Sequence, residues 1–391
     1  MHVLLIPSFY STPQNPVAGA FFRDQAHALH DYGVRVGVLS CPQKAPWQKP
    51  LRPGAWPEGI VWEDDQGVAT VRGYWRRYWP GYNRLRLSAW VRFGLGVFEQ
   101  YSRVEKRPDL IHVHAADPAA LLAAEIKSRH GVPFVLTEHT SRLALGTGRP
   151  VRQRIAAAGI REASAAIAVS PALAEMLALR LPLPSGGWRV VPNCVSRQFL
   201  EVPIPDVGAA ADSTFRVLTV GNFVPVKGQE VLLRAFAAAF GGDSRCELRL
   251  GGRGPREKYL RRLGGQLGIG GQARFLGPLS REQVLAEMTA CDMFVLPSLF
   301  ETFGVVLIEA LAVGRPVIAT RCGGPESIVH ERNGVLVAAG EVGGLAAALT
   351  DMRTSAGTYD PEHLRNDVMA RFGPHKVAQQ LAAVYEKVLS R

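Results

Sequence analysis

Residues 298–316 read S-L-F-E-T-F-G-V-V-L-I-E-A-L-A-V-G-R-P and indicate the fold class more directly than any other stretch. The apolar run at 293–296, just before them, is typical of a short buried strand, and the final G-R-P ends a helix. The order is therefore strand, tight loop and helix, which is the repeating unit of an α/β domain. Two carboxylates lie in this unit, Glu301 in the loop and Glu309 on the helix.

The start of this helix is suited to an anion, because its first backbone N–H groups are free and carry a partial positive charge. A phosphate or pyrophosphate there would be repelled by Glu301 unless that carboxylate binds another group, such as the hydroxyls of a sugar. Glu309 equally suits the two hydroxyls of a diol. The alternative is an ordinary amphipathic helix with one capping acid and one solvated acid, and the stretch alone leaves both interpretations open.

The composition predicts a folded chain of two domains. With 391 residues, 47% of them hydrophobic and 20% charged, the chain can build two separate cores. No apolar run reaches the roughly 18 residues of a membrane-spanning helix. The apolar segment at 2–6 is too short for a secretory signal, so we expect a cytoplasmic protein.

The charge and the cysteines narrow the choice of partners and sites. A net charge of +11 attracts nucleic acid, anionic lipid or a phosphorylated substrate, and it does not choose among them. The five cysteines are scattered and form no C-x-x-C pair, which argues against a disulfide framework and a zinc site. No D-x-D sequence or His/Asp cluster has metal-ligand spacing, so we expect no metal.

The first half of the chain alternates strands and helices but lacks the G-x-G-x-x-G dinucleotide fingerprint, so a dehydrogenase is not supported. The apolar run at 133–137 predicts a strand that leads into Glu138, His139 and Thr140. The carboxyl end of such a strand is where open α/β sheets bind ligands. A lone histidine there is more often a hydrogen-bonded structural residue, so His139 has both a functional and a structural interpretation.

Two other segments of the first half are unusual in composition. Residues 42–67 are rich in Pro and Trp and predict an insertion over the sheet. Residues 72–98 combine six arginines with interleaved Tyr, Trp and Phe and contain no acid. Such a mixture suits a membrane surface, where arginines meet lipid phosphates and rings lie among the headgroups, and also suits single-stranded nucleic acid. The rings can equally pack on the protein's own core, and we weigh this interpretation and the membrane surface equally above nucleic acid.

The second half restarts the same alternation after a polar stretch at 201–213, which predicts an interdomain linker. A strand at 215–220 leads into the loop G-N-F-V-P-V-K-G at 221–228. This loop places Lys227 just before a helix, as in a phosphate cradle, although it lacks the Walker sequence. A surface lysine beside a turn is the alternative.

These motifs together resemble the retaining glycosyltransferases of family 4, also called glycosyl transferases group 1. Glu301 and Glu309 match the family's E-x7-E motif, V-G-N-F-V-P-V-K-G is similar to its donor-phosphate loop, and G-G-R-G-P to its G-x-G-P turn. V-P-N-C-V, T-E-H-T-S and C-G-G-P-E also fall in the family's order, so the resemblance covers nearly the whole chain. It implies the α/β GT-B fold, in which two Rossmann-like α/β/α domains face each other across a cleft.

The resemblance also implies the limits of the domains. Residues 1–200 would form the acceptor-side domain, with a closing helix at 374–391 that packs back on it. Residues 201–213 would be the linker. Residues 214–373 would form the domain that binds the nucleotide sugar.

By the same resemblance, three residues take part in catalysis: Glu301 beside the donor sugar, Lys227 on its pyrophosphate and His139 beside the reacting centre. With an ordinary pKa of about 6.5, His139 would position a sugar hydroxyl or act as a base. Asn222 stands where many relatives have an arginine, so one positive charge near the pyrophosphate is missing. The implied donor-binding residues are Asn222, Lys227, Arg253, Leu279, Thr302, Phe303, Gly304, Val305 and Glu309, the last on the ribose diol, and the implied acceptor-side residues are Gly19 and Ala20.

The implied reaction moves a hexose-type sugar from a UDP-sugar or GDP-sugar to a saccharide or lipid-linked acceptor, with retention of configuration and without a metal or other cofactor. It would serve the synthesis of cell-surface polysaccharide, lipopolysaccharide or glycolipid at the inner face of the plasma membrane, with residues 72–98 as a peripheral membrane contact. The alternatives are a relative with a soluble acceptor and a sugar-nucleotide epimerase. A nucleic-acid-binding module on the same fold is disfavoured, because Glu301, Lys227 and Glu309 are all present.

Overall fold

The computed structural model describes residues 1–12, 17–44, 59–76, 84–147, 150–183, 187–204 and 214–391. The chain forms two compact domains, one made of Met1–Cys194 with Pro374–Arg391 and the other of Val195–Gly373. Residues 195–200, which the sequence assigned to the first domain, therefore lie in the second. There the Val195 N–H donates to the Phe372 carbonyl at 2.9 Å. Most of the expected linker, 205–213, is outside the described residues.

The first domain is built around a sheet in which every strand is parallel to its neighbours except β4. Its strands are β1 (His2–Pro7), β2 (Arg35–Ser40), β3 (Gln43–Lys44), β4 (Gly59–Asp65), β5 (Val68–Arg76), β6 (Leu110–His114), β7 (Phe134–Glu138), β8 (Ala165–Ala168) and β9 (Trp188–Val190). They lie in the order β3-β5-β2-β1-β6-β7-β8-β9, with β4 beside β5. The strand order reverses between β1 and β6, and such a switch point is where open α/β sheets bind ligands.

Helices cover both faces of this sheet. They are α1 (Ala20–Asp31), α2 (Arg84–Glu105), α3 (Ala119–His130), α4 (Ser141–Leu145), α5 (Pro150–Glu162) and α6 (Pro171–Arg180), and the last helix of the chain, Pro374–Leu389, returns to this domain. Apolar side chains of α1 and of the last helix fill one face, among them Phe22, Leu381 and Tyr385. Those of α2, α3 and α5 fill the other. Since the central strands are buried on both sides, their sequences are nearly continuous apolar runs.

The second domain repeats this plan with parallel strands only. They are β10 (Phe215–Val220), β11 (Cys246–Gly251), β12 (Ala273–Gly277), β13 (Met293–Leu296), β14 (Val317–Arg321) and β15 (Gly334–Ala338), in the order β12-β11-β10-β13-β14-β15. Its helices are α7 (Arg197–Leu200), α8 (Gln229–Phe240), α9 (Glu257–Gln266), α10 (Arg281–Ala290), α11 (Val305–Ala312), α12 (Val342–Ser355) and α13 (Pro361–Phe372), which makes the closing helix of the chain α14. On α8, Leu232, Phe236 and Phe240 recur at helical spacing and are buried against the sheet. The switch point of this domain lies between β10 and β13.

The structure alters the interpretation of two segments in the first half of the chain, 42–67 and 72–98. The expected insertion at 42–67 contains β3 and β4, which extend the sheet, while 45–58 lie outside the described residues. In the arginine-rich segment, Tyr74 and Trp90 are only 8% and 3% exposed, and Trp90 donates to the Cys41 carbonyl at 3.1 Å. Arg72 is buried too and pairs with Glu63 at 2.9 Å. These three side chains pack into the domain, and residues 77–83 of the same segment lie outside the described residues.

No helix in the described part of the chain is both long enough and apolar enough to span a bilayer.

Candidate functional site

The second domain brings Lys227 and Glu301 into contact at its switch point. Lys227 ends a short 3-10 turn, Pro225–Lys227, after β10, and Glu301 lies in the loop after β13. Lys227 Nζ and Glu301 Oε2 form an ion pair, with 27% and 15% of the two side chains exposed. The two residues are 74 positions apart in the sequence and meet because their strands are neighbours in the sheet.

Backbone hydrogen bonds fix the loop that carries Glu301. The Leu299 N–H donates to the Val226 carbonyl at 2.7 Å, which joins this loop to the turn before Lys227. On its other side, the Glu301 N–H donates to the Cys322 carbonyl at 3.1 Å, and its own carbonyl accepts from the Gly324 N–H at 2.8 Å. The carboxylate is therefore held near the lysine by the scaffold as well as by charge.

Two glycines set the helix starts beside the pair. Gly228 precedes α8 with φ of 66°, and a Cβ there would lie 1.9 Å from the Pro297 carbonyl oxygen, so no other residue fits. Gly304 precedes α11 with φ of 101°. Phe303 turns its ring into the core and is 2% exposed, and Val305 is the first residue of the helix. The backbone N–H groups at this helix start are thus the part of the segment suited to an anion.

Glu309 lies one helical turn into α11 and is 8% exposed. Its Oε1 is 3.8 Å from Nη2 of Arg281, the first residue of α10. A capping box between Ser280 and Gln283 fixes the start of α10. Arg281 is therefore a neighbour of Glu309, the carboxylate expected to bind the ribose, and it was not among the residues expected at the site. Its position directly after the loop at 277–280 is the feature of the sequence that could have indicated it.

The other expected donor-binding residues lie on neighbouring loops. Asn222 is exposed after β10, and its carbonyl accepts from the Gln229 side chain at 3.0 Å. Arg253 is exposed after β11, and its carbonyl accepts from the Phe223 N–H at 2.9 Å, which joins the two loops. Leu279, after β12, and Thr302, beside Glu301, are half-buried. Asn222 thus supplies no positive charge, but the adjoining loop carries an arginine, Arg253.

In the first domain, His139 follows β7 and is 8% exposed. Its Nε2 lies 3.1 Å from Nδ1 of His114 at the end of β6, and the Phe22 ring packs on it with 4.8 Å between centroids. Burial, helped by the nearby His112, lowers the pKa of His139 to about 3, and a weak contribution from Asn193 opposes this. This pKa lies below the 6.5 of an unperturbed histidine, so the neutral imidazole of His139 is a weak proton acceptor and is poorly suited to act as a general base.

A third buried histidine, His112, lies beside this pair, with 4.1 Å between the ring centroids of His112 and His114. His112 Nδ1 is 2.7 Å from the Tyr385 hydroxyl of α14, and its Nε2 is 2.7 Å from Thr137 Oγ1. Complete burial lowers the pKa of His112 to about 3. A histidine inside the apolar run L-I-H-V-H indicates a buried polar group that needs a partner, but the sequence does not identify Tyr385 as that partner.

Glu138 was also not given a role. Its carboxylate is 1% exposed and accepts three backbone N–H groups, from Ala116 and His139 at 3.0 Å and from Thr140 at 2.7 Å. It therefore holds together the loops that follow β6 and β7, and with them the backbone of His139.

Gly19 and Ala20 open α1 at the same edge of the first domain. Gly19 has φ of 70°, and a Cβ there would lie 2.9 Å from the Phe9 carbonyl oxygen. Ala20 is buried. The fold alone thus explains the glycine, and a ligand contact at these two residues stays a prediction, as does the cleft between the domains.

Two family models match the chain, one in each domain. Glycosyltransferase Family 4 matches residues 18–199 and Glycosyl transferases group 1 matches residues 214–355. The D-inositol 3-phosphate glycosyltransferase of Corynebacterium jeikeium is 33% identical over 183 residues, which cover 43% of this chain and 42% of that protein. The chain thus spans less than half the length of that relative. A putative teichuronic acid biosynthesis glycosyltransferase, TuaC of Bacillus subtilis, is 27% identical over a match that covers 99% of both proteins.

Solved structures share the whole fold. Anabaena HepE in complex with UDP superposes with a TM-score of 0.75 and 20% sequence identity, covering 99% of this chain and 100% of that one. At this identity the likeness establishes the fold alone. It confirms the fold class expected from the sequence, two α/β domains of the GT-B type with parallel sheets.

Proposed function

Because this chain carries a glycosyltransferase family 4 domain followed by a group 1 glycosyl transferase domain, we propose that it transfers a hexose-type sugar from a nucleotide-diphosphate donor to an acceptor hydroxyl. The proposed donor is a UDP-sugar or a GDP-sugar. The structure of HepE with UDP supports the uridine nucleotide as the first one to test.

The observation that carries this proposal is the contact between Lys227 and Glu301 at the switch point of the second domain, beside the start of α11. A cation and a free helix N-terminus suit a diphosphate, and a carboxylate beside them suits sugar hydroxyls. Glu309, 8% exposed on the same helix, would accept the ribose hydroxyls. One short segment would then contact three parts of a nucleotide sugar.

In the proposed step, the bond between the anomeric carbon and the diphosphate breaks, and the acceptor oxygen bonds to the same carbon from the same face. The acceptor proton passes to the departing phosphate oxygen, so the configuration is retained and no protein base is required. Lys227 and the start of α11 would stabilise the charge that develops on the diphosphate. The low pKa of His139 supports this route, because so weak a base is better suited to position a hydroxyl than to remove its proton.

A thermal-shift screen of UDP, GDP, ADP and their sugars tests the proposal. A ligand at about 100 times its dissociation constant adds roughly 2.7 kcal/mol to the stability of the protein, which is readily measured. We expect one diphosphate and its sugar to stabilise the wild type and not a Lys227→Ala variant. Transfer should then persist in excess chelator and give a product of unchanged anomeric configuration. Absence of any nucleotide-dependent shift would overturn the proposal.

For the acceptor, we propose a saccharide or a polyprenyl- or other lipid-linked sugar in cell-surface polysaccharide or glycolipid synthesis, at the inner membrane face. The relative named for teichuronic acid synthesis supports a polymer. The burial of Tyr74 and Trp90 instead favours a soluble acceptor, because those rings are not available to a membrane. Flotation with anionic liposomes separates the two: binding that is lost when Arg76, Arg77 and Arg84 are neutralised supports the membrane, and no flotation supports the soluble acceptor.

A further inference from the structure

The Lys227–Glu301 pair should interact differently with the two forms of the nucleotide, the sugar-loaded donor and the bare diphosphate left after transfer. This reasoning rests on the proposed function. Both side chains are partly exposed, so a ligand can reach them. Both loops are held by backbone hydrogen bonds, so the backbone of Glu301 stays beside that of Lys227 when a ligand arrives.

A diphosphate that binds Lys227 arrives as a second anion beside the Glu301 carboxylate. The charge of the lysine is already shared with that carboxylate, and Asn222 adds no positive charge nearby. Like charges a few ångströms apart repel strongly where water is partly excluded. A sugar on the diphosphate changes this balance, because its hydroxyls donate hydrogen bonds to the carboxylate and satisfy it.

We infer that Glu301 is a specificity-determining residue that selects the sugar-loaded nucleotide over the bare diphosphate, by competing for Lys227 whenever no sugar is present. The same competition speeds release of the diphosphate product. Glu301 thus acts on the bare diphosphate as an opposing charge, in addition to its proposed contact with the sugar.

The test compares two dissociation constants, measured by calorimetry for UDP and UDP-glucose, or for GDP and GDP-mannose if the guanine nucleotide is the one that stabilises the wild type. We expect Glu301→Gln to bind the bare diphosphate about tenfold more tightly than the wild type, since the amide keeps the shape and removes the charge. Binding of the sugar nucleotide should stay equal or weaken. The preference for the sugar nucleotide therefore falls or reverses.

The matched control is Glu309→Gln, which changes the other carboxylate of the same segment. This variant should bind the bare nucleoside diphosphate and the sugar nucleotide more weakly and to the same extent, because both ligands carry the ribose. Measured against Lys227→Met, the Lys227→Met/Glu301→Gln double variant should show a smaller gain than Glu301→Gln shows against the wild type, because only the direct repulsion between carboxylate and diphosphate then remains. Far-UV circular dichroism checks that each variant is folded.

Unchanged or weaker binding of the bare diphosphate to a folded Glu301→Gln variant would overturn the inference and leave the proposed function standing. A gain of the same size in the double variant, measured against Lys227→Met, would also overturn it, because the competition for Lys227 would then contribute nothing. Failure of the wild type to bind any nucleotide would remove the proposed function and this inference together.

Discussion

The carboxyl ends of the central strands have the same parallel arrangement in the two domains and opposite chemistry. In the second domain a lysine and a carboxylate, Lys227 and Glu301, meet with part of each side chain exposed. In the first domain His114 at the end of β6 and His139 just after β7 lie together, with His112 beside them, all 8% exposed or less. The charged pair is partly exposed, so a ligand can replace one of its partners, whereas the neutral rings are buried.

This difference shows that the strand order provides a place for ligands but not the kind of contact made there. A partly exposed ion pair contributes little to stability, and its partners can be exchanged for a substrate. A buried imidazole is held neutral by the loss of water around it, and its hydrogen bonds then determine local shape. We therefore expect the second-domain site to affect binding and turnover, and the first-domain cluster to affect stability.

Acid should unfold the first domain before the second, and this is the largest effect we expect. Burial lowers the pKa of His112 and of His139 to about 3, below the 6.5 of an unfolded histidine. Between those values the unfolded chain binds protons that the folded domain does not, so stability is complete above pH 6.5 and falls as the pH drops toward 3. In the second domain, a hydrogen bond from Arg353 lowers the pKa of Asp243 to about 2 from 3.8, so that group loses its contribution only below about pH 4.

All seven tryptophans lie within residues 1–194, so tryptophan fluorescence reports on the first domain alone. Thermal unfolding should be followed by fluorescence and by far-UV circular dichroism from pH 7 to pH 3. The fluorescence transition should move to lower temperature first. Transitions that fall together at every pH would remove the proposed contrast between the domains.

Lys227→Ala should lower turnover by about 10²–10³-fold, the usual effect of removing one group that stabilises charge in a transition state. Donor binding should weaken as well, because the same cation faces the diphosphate in the ground state. Steady-state kinetics and calorimetry measure the two effects. Lys258→Ala, an exposed lysine on α9, is the control and should behave as the wild type. Equal activities of both variants would show that the ion pair is not the donor site.

Tyr385→Phe should have the smallest effect and act only on stability. It removes the hydroxyl bonded to His112 and leaves a buried ring nitrogen without that partner, which costs about 1–3 kcal/mol. Denaturant unfolding followed by tryptophan fluorescence measures the loss. Tyr359→Phe in the second domain is the matched control and should not change that transition. Nucleotide binding should be unaffected in both variants, and a specific loss in Tyr385→Phe would contradict the division of roles.

The fold class could be predicted because its strands are buried on both faces and therefore form short apolar runs, as in β7 and β13. The strands at the edge of the first sheet could not be predicted from the sequence. β3 has only two residues, and β4 is half-exposed without a clear alternation, so neither has a periodic pattern to detect. The domain boundary shifted by a few residues, because a hydrogen bond to Phe372, far along the chain, holds Val195 in the second domain.

For the site, the sequence identifies residue types and not their partners. Lys227 and Glu301 were both expected, but their contact depends on β10 and β13 being neighbours, which spacing does not reveal. Arg281 was missed for the same reason. His139 was expected with an ordinary pKa, since the burial that lowers it comes from the Phe22 ring on α1 and from two histidines on another strand. The sequence around a residue does not show which side chains from other elements will surround it in the fold.

The position of α14 has a consequence for how the protein is made. Its apolar side chains complete the core of the first domain, and Tyr385 bonds to His112 inside it, yet the ribosome synthesises this helix only after the whole second domain. While the chain is being translated, the face of the first sheet that α14 covers stays open, and the second domain has the chance to fold first. The first domain to be synthesised is thus the last to be completed.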